Sequence, residues 1–338
     1  MNNVRAVGQS WLFDKAPSLI SGAAVVGKKE GEGPLGAYFD VVHEDNWLGM
    51  ESYEKAEQKI LEEACNLALR KGHLHREDIR FHLSGDLLNQ TIASNFTAAH
   101  LGIPYLGIYG ACSTAMEGLG LAAYLIAGGG ADYVLASTCS HTNTSEKQFR
   151  YPNEYGAQKK ATAQCTVLGA GAAVVAASQD FPVAVSAVTV GRVRDFGVTD
   201  PFNMGAAMAG AAADTIACHL RDRQLKAEDY DLIVTGDLGR VGSPIAEELL
   251  RQRGIVISEG KFKDGGIMIY PEEEAFLAGG SGCGCMAVVT YGYLWRELLA
   301  GRLRRVLCVA TGALLSKISI QQKQSIPGVA HAVALERR

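Results

Sequence analysis

Residues 106–129 read LGIYGACSTAMEGLGLAAYLIAGG, an apolar strand that passes through a Gly-Ala-Cys turn into a helix rich in small residues. The turn places one cysteine, Cys112, at the N-terminus of that predicted helix. Unpaired N–H groups and the positive end of the helix dipole stabilise a thiolate at such a position. The stretch therefore predicts either a nucleophilic cysteine or, equally well, a small buried hydrophobic side chain.

The same pattern occurs twice in the chain. Residues 112–138, CSTAMEGLGLAAYLIAGGGADYVLAST, resemble residues 285–311, CMAVVTYGYLWRELLAGRLRRVLCVAT. Each copy runs from a Gly-containing turn through a helix and a glycine to a strand that ends in Thr, and the two copies align Cys112 with Cys285. An internal repeat of this kind decides the architecture, because a duplicated unit folds twice.

The upstream segments repeat as well. HREDIRFHLSGDLLNQ and KAEDYDLIVTGDLGRV share Glu-Asp, an apolar strand and Ser/Thr-Gly-Asp-Leu, and they pair Ser84 with Thr235. Each follows a helix-like segment with apolar residues at i, i+3 and i+4. The chain is therefore predicted to consist of two similar halves, residues 1–180 with the Cys112 turn and residues 181–338.

Strands and helices alternate within each half. Such alternation predicts parallel strands joined by right-handed crossovers, with helices on the faces of the sheet. Neither half is large enough to cover both faces of its sheet alone, so we expect the halves to pack about a pseudo-twofold axis. The small-residue helices at 112–127 and 285–300 would meet at the centre. The prediction is an α/β fold of two βαβαβαββ halves in a five-layer αβαβα arrangement.

Composition and charge exclude several classes of function. The chain has 338 residues, of which 48% are hydrophobic, and its net charge is −4, as in a globular protein without the basic excess that nucleic-acid binding requires. We expect neither an N-terminal signal peptide nor a transmembrane helix. The eight cysteines show no metal-ligand spacing and fit a reducing, cytosolic compartment.

The duplicated pattern, with its strand-Gly-Ala-Cys-Ser-helix turn, resembles the thiolase superfamily, and ACST resembles the nucleophile turn of the β-ketoacyl synthases. That resemblance implies a cysteine assisted by His and Asn, or by two His, from the second half. The corresponding positions here read Gly236-Asp237-Leu238 and AGGSGCGC, without His or Asn. Asp237 would repel an oxyanion and, near neutral pH, would not readily supply a proton. We therefore expect a binding site rather than an enzyme.

Longer strings, among them FRYPNEYGAQKKATAQCTVLGAGAA and FNMGAAMAGAAADTI, resemble the stage V sporulation protein AD family along essentially the whole chain. This resemblance implies a catalytically silent thiolase-fold protein of endospore-forming bacteria that needs no cofactor. It would bind dipicolinic acid (pyridine-2,6-dicarboxylate), alone or as its calcium chelate. It would lie in the cytoplasm of the forespore or spore, peripheral on the inner membrane. Membrane proteins of the same operon would be its partners in uptake of the ligand and in its release at germination.

The ligand-binding candidates surround the predicted helix N-terminus, where N–H groups favour a carboxylate. They are Cys112, Ser113, His141, Asn143, Gln164 and Asp237, the last only through a bridging calcium ion or water. A loop histidine bonded to the backbone is an equally good interpretation of His141.

Two other functions stay open at this point. One is an acyltransferase or condensing enzyme that uses Cys112, with His141 as its partner. The other is a structural scaffold whose pocket is a relic. A homodimer through the strand YLGIYG is also expected, because the superfamily usually pairs through the strand before the cysteine turn, unless a membrane partner covers it.

Overall fold

A computed structural model describes residues 3–149 and 159–338 of the chain. The strands are β1 (Val4–Val7), β2 (Ser10–Phe13), β3 (Ser18–Gly27), β4 (Val41–His43), β5 (Phe81–Gly85), β6 (Tyr105–Gly107), β7 (Tyr133–Ser140), β8 (Cys165–Thr166), β9 (Gly169–Ala176), β10 (Val183–Thr189), β11 (Leu232–Thr235), β12 (Phe262–Asp264), β13 (Gly280–Ser281), β14 (Arg305–Ala313) and β15 (Gly328–Arg337). The helices are α1 (Lys28–Gly31), α2 (Tyr53–Lys71), α3 (Ile92–Leu101), α4 (Thr114–Ala127), α5 (Thr142–Phe149), α6 (Met204–Arg223), α7 (Gly239–Gln252), α8 (Gly265–Met268), α9 (Cys283–Val288), α10 (Trp295–Leu299) and α11 (Lys317–Gln321). A π-helical segment, Val289–Leu294, joins α9 to α10, so that the three form one continuous second central helix.

The sheet of each half has the same strand order. The first half runs β3-β9-β7-β5-β6 and the second runs β10-β15-β14-β11-β12. In each half one strand, β9 or β15, runs antiparallel to the other four. The predicted duplication is confirmed, whereas the expectation of wholly parallel sheets is wrong in this strand of each half and in β2, which pairs antiparallel with β10. An antiparallel neighbour needs no crossover helix, and the sequence of a strand does not show in which direction the strand runs relative to its neighbours.

The repeat also holds at the level of single residues. Ser84 is the fourth residue of β5 and pairs with β7, and Thr235 is the fourth residue of β11 and pairs with β14. The two sheets meet where Ala184 of β10 pairs with Ser18 of β3. The hairpin β1–β2 then adds to β10, so residues 4–13 join the sheet of the second half although they precede the first.

Hydrophobic cores lie between the five layers. The central core surrounds α4 and the second central helix, which contact each other between the two sheets. A second core lies between the first-half sheet and α2 and α3, and a third lies between the second-half sheet and α6 and α7. This is the predicted αβαβα arrangement.

Small residues let the central layers approach closely. A Cβ atom on Gly284 of α9 would lie 2.3 Å from the carbonyl oxygen of Gly169 in β9, too near for any side chain. The glycine therefore allows the N-terminus of the second central helix to sit directly on the first-half sheet. No helix in the part of the chain that the structure describes is long and apolar enough to cross a membrane.

Candidate functional site

The turn that precedes α4 is closed by its own hydrogen bonds. The Ser113 hydroxyl donates to the Gly110 carbonyl oxygen at 2.6 Å, and the Ser113 N–H donates to the same oxygen at 3.0 Å. The Thr114 hydroxyl donates to the Ala111 carbonyl oxygen at 2.7 Å, and Ala111 has a φ of +49°. Ser113 therefore shapes the turn, and both of its donors are occupied within it.

Cys112 is buried in this turn, with 8% of its surface exposed, and it packs against Leu87 and Cys283. Burial raises the pKa of its thiol well above the usual value, and the nearby Asp237 and Cys283 act in the same direction. The Gly282 N–H offsets only part of this effect. The expectation that the helix N-terminus lowers this pKa is therefore wrong, because desolvation outweighs the dipole. At neutral pH the residue is a thiol rather than a thiolate.

This state of Cys112 predicts slow alkylation. Of the eight cysteines only Cys165 is not buried. With limiting iodoacetamide at neutral pH, we expect Cys165 to react first and Cys112 to react slowly, since the thiolate is the nucleophile. Peptide mapping by mass spectrometry measures the order. Preferential labelling of Cys112 would contradict the raised pKa.

His141 is held by the backbone through both ring nitrogens. Its Nε2–H donates to the Asn46 carbonyl oxygen at 2.8 Å, and its Nδ1 accepts the Asn143 N–H at 3.1 Å. The ring packs against Tyr53, with 5.3 Å between ring centroids, and burial lowers its pKa. The neutral imidazole therefore fixes the start of α5 and has no nitrogen left for a ligand or for Cys112. These contacts match the alternative interpretation of His141, in which it is a loop histidine bonded to the backbone and not a ligand-binding residue.

Asn143 lies in the first turn of α5, two residues after His141. Its side-chain Oδ1 accepts a hydrogen bond from Asn46 Nδ2 at 3.1 Å. Together with the bonds of His141, this contact ties the start of α5 to the segment after β4. The Oδ1 of Asn143 is therefore already bonded within the fold. The predicted contact of Asn143 with a ligand would have to be made by its side-chain Nδ2.

Gln164 connects the two halves. Its Nε2 donates to the Asp237 carbonyl oxygen at 2.5 Å and lies 3.4 Å from the Gly280 carbonyl oxygen. The residue is 1% exposed. Gln164 therefore positions the backbone of Asp237, a role that sequence reasoning did not assign to it.

Asp237 is the most unusual group of the site. Its side chain is fully buried, and neither carboxyl oxygen makes a hydrogen bond of good geometry with the described residues, although the Cys285 thiol and the Gly282 N–H lie near it. Burial raises its pKa well above the usual value, and Asp264 adds to the effect, while the Cys285 thiol and the Gly282 N–H offset part of it. The expectation that Asp237 would not readily supply a proton is thus wrong, because burial favours the protonated carboxyl.

The structure brings three of the predicted residues, Cys112, Gln164 and Asp237, to one buried centre between the N-termini of α4 and α9. Sequence reasoning missed Cys283 and Asp264 there. The Gly-Cys-Gly-Cys string at the start of the second central helix was the available signal for Cys283. No group of three His, Cys, Asp or Glu that could hold a metal ion occurs within residues 3–149 and 159–338.

A surface cavity approaches this centre. It has a volume of about 330 Å³ and is lined by residues 87–91 and 107–109. Leu87, which lines the cavity, also packs against Cys112. The volume lies at the lower end of the range of about 300–1,000 Å³ typical of small-molecule pockets. Cys112, Gln164 and Asp237 lie behind this lining and do not themselves contribute to it.

Comparison with known proteins identifies strong sequence relatives. The family model described as Stage V sporulation protein AD (SpoVAD) matches residues 7–336. The stage V sporulation protein AD of Bacillus subtilis (strain 168) is 48% identical over 329 residues, which cover 97% of each chain.

Solved structures share the fold at low identity. The 3-oxoacyl-[acyl-carrier-protein] synthase III of Aquifex aeolicus VF5 has a TM-score of 0.57 at 16% identity, over 95% of this chain and 99% of that one. A variant of OleA from Xanthomonas campestris has a TM-score of 0.60 at 15% identity, over 95% of this chain and 98% of that one. The thiolase-like fold predicted from the repeat is confirmed.

Proposed function

The chain belongs to the stage V sporulation protein AD family, and from this premise we propose that it serves sporulation as a non-enzymatic binding protein for dipicolinic acid. The ligand, free or as its calcium chelate, would occupy the Cys112 centre. It would pass to and from membrane proteins of the same operon, with the protein peripheral on the inner membrane of the forespore or spore.

The state of Cys112 is the observation that carries this proposal. A condensing enzyme needs a thiolate and a base that generates it. Here burial raises the pKa of the thiol, and Asp237 and Cys283 act in the same direction. His141, the histidine predicted as its partner, has both ring nitrogens bonded to the backbone of Asn46 and Asn143. The centre therefore favours a bound ligand over a covalent intermediate.

The same centre suits a carboxylate ligand. The N-termini of α4 and α9 converge there, and the Gly282 N–H faces both the Cys112 thiol and the Asp237 carboxyl. Helix N-termini favour anions. A hydrogen bond to a charged group contributes about 1.5–3 kcal/mol. A few such bonds would support micromolar binding, which corresponds to about −8 kcal/mol.

The proposal includes a homodimer through β6. This strand ends the first-half sheet, and the exposed side chains Leu106 and Tyr109 lie on and beside it. Phe96 of the adjacent α3 is 53% exposed. An apolar edge strand is a surface that a second chain would cover. A membrane partner of the same operon is the alternative occupant.

Two observations favour a second function, an acyltransferase or condensing enzyme. The solved structures that share the fold include a 3-oxoacyl-[acyl-carrier-protein] synthase III, and a protonated Asp237 beside Cys112 has a proton to donate to the carbonyl oxygen of a thioester. This function requires that Cys112 become acylated.

Titration calorimetry with dipicolinate, in calcium and in EDTA, tests the proposal. We expect saturable binding at one site per chain, because the centre occurs once. Incubation with acyl-CoA and acyl-carrier substrates, followed by intact mass measurement, should show no adduct on Cys112. An adduct formed at catalytic rates would establish the enzyme instead, and the absence of any saturable binding would favour a scaffold.

A further inference from the structure

The internal repeat provides a control for Asp237 within the molecule. Asp86 follows β5 just as Asp237 follows β11, each in a Ser/Thr-Gly-Asp-Leu string. Asp86 accepts the Leu88 N–H at 2.9 Å in the turn after β5 and the Ser94 N–H at 2.7 Å in the first turn of α3. In the first half this aspartate is therefore a structural residue.

In the second half a different aspartate accepts the corresponding backbone N–H groups. Asp264, at the end of β12, accepts the N–H groups of Leu238 and Gly239 at 3.0 and 2.9 Å, where α7 begins. It also accepts the Ile267 N–H at 3.2 Å and the Thr235 hydroxyl at 2.8 Å. Asp237 is thereby released from the structural role of its counterpart.

Asp237 is nevertheless buried in an unfavourable state. Neither carboxyl oxygen makes a hydrogen bond of good geometry in the described part of the chain, where its nearest donors are the Gly282 N–H and the Cys285 thiol. Its φ is +67°, a region that side chains rarely adopt. Its backbone is held there by Gln164. A buried polar group that folding does not use is expected to have a partner that is absent from the free protein.

We propose that Asp237, as a neutral carboxylic acid, donates a hydrogen bond to a carboxylate of the bound ligand. This inference rests on the proposed function and assigns a chemical role to one residue of that site. The titratable groups that face Asp237 are Asp264, Cys285 and Cys112, with Cys283 next to Cys112. None of them is cationic, so an ionised Asp237 would repel a dianion.

Two variants separate the donor role from a packing role. Asp237→Asn keeps the size of the side chain and an N–H donor, and Asn tolerates positive φ. Asp237→Gly removes the donor and also accepts the backbone conformation without strain. In calorimetric titrations with dipicolinate in EDTA at neutral pH, we expect the Asn variant to bind within about threefold of wild type and the Gly variant to bind at least about tenfold more weakly.

The direction of the pH dependence gives a second readout. An ionised Asp237 is not a donor, so the affinity of the wild-type protein should fall, and never rise, as the pH is raised through the pKa of Asp237 in the free protein. The Asn variant should show no such fall. Tighter binding of the wild type at higher pH, or a gain of more than about tenfold in the Asn variant at neutral pH, would overturn the inference.

Thermal melting serves as the structural control. Asp86→Asn should lower the melting temperature because Asp86 caps α3, whereas Asp237→Asn should not. Wild-type affinity in the Asp237→Gly variant would contradict this inference alone. Failure of the wild-type protein to bind dipicolinate would instead contradict the proposed function.

Discussion

Cys112→Trp is expected to abolish dipicolinate binding, and Cys112→Ala is expected to weaken it by less than about threefold. Cys112 packs against Leu87 and Cys283 and is only 8% exposed, so an indole would displace these neighbours and take the place proposed for the ligand. Alanine leaves that space open and removes only a thiol that is not ionised. Titration calorimetry of the two variants measures both effects.

Folding must be monitored in this experiment, because overpacking a core destabilises a protein by about 1–3 kcal/mol. Cys65→Ala is the matched control, since Cys65 is fully buried on α2 in the outer core, and its loss should leave binding unchanged. Cys112→Leu provides a smaller obstruction if the Trp variant does not fold. Undiminished affinity in a folded Cys112→Trp protein would place the site elsewhere on the molecule.

The fold was predicted well from the sequence where the two halves have similar sequences. The pairing of Ser84 with Thr235 follows from one short string, and both residues occupy the same place in equivalent strands. The direction of β9 and β15 could not be predicted, because an apolar run indicates a buried strand without naming its neighbours. The pairing of Ser18 with Ala184, which joins the sheets, has no local signal at all.

The site was predicted less completely, for a physical reason. Sequence placed Cys112 at a helix N-terminus but did not show how deeply it is buried, and burial decides the direction of its pKa shift. The His141 ring donates a hydrogen bond to the backbone carbonyl oxygen of Asn46, which lies 95 residues away in the sequence. The role of Asp264 likewise depends on N–H groups from another segment. Motifs identify side chains, whereas solvation and hydrogen-bond partners come from the tertiary structure.

Asp264→Ala should cause a large loss of stability. The Asp264 carboxylate is buried and accepts N–H groups from Leu238, Gly239 and Ile267 as well as the Thr235 hydroxyl. It thereby serves the N-termini of both α7 and α8. Alanine would leave these donors buried without an acceptor, and each unsatisfied group costs about 1–3 kcal/mol.

We expect the free energy of unfolding to fall by about 3–5 kcal/mol, a large part of the 5–15 kcal/mol typical of a folded domain. Urea titration followed by circular dichroism measures this change. Asp237→Asn is the matched control, because its carboxyl makes no hydrogen bond of good geometry with the described residues and its replacement should leave stability unchanged or raise it. A loss below about 1 kcal/mol in Asp264→Ala would mean that water replaces the carboxylate. It would contradict the inference that Asp264, and not Asp237, stabilises the N-termini of α7 and α8.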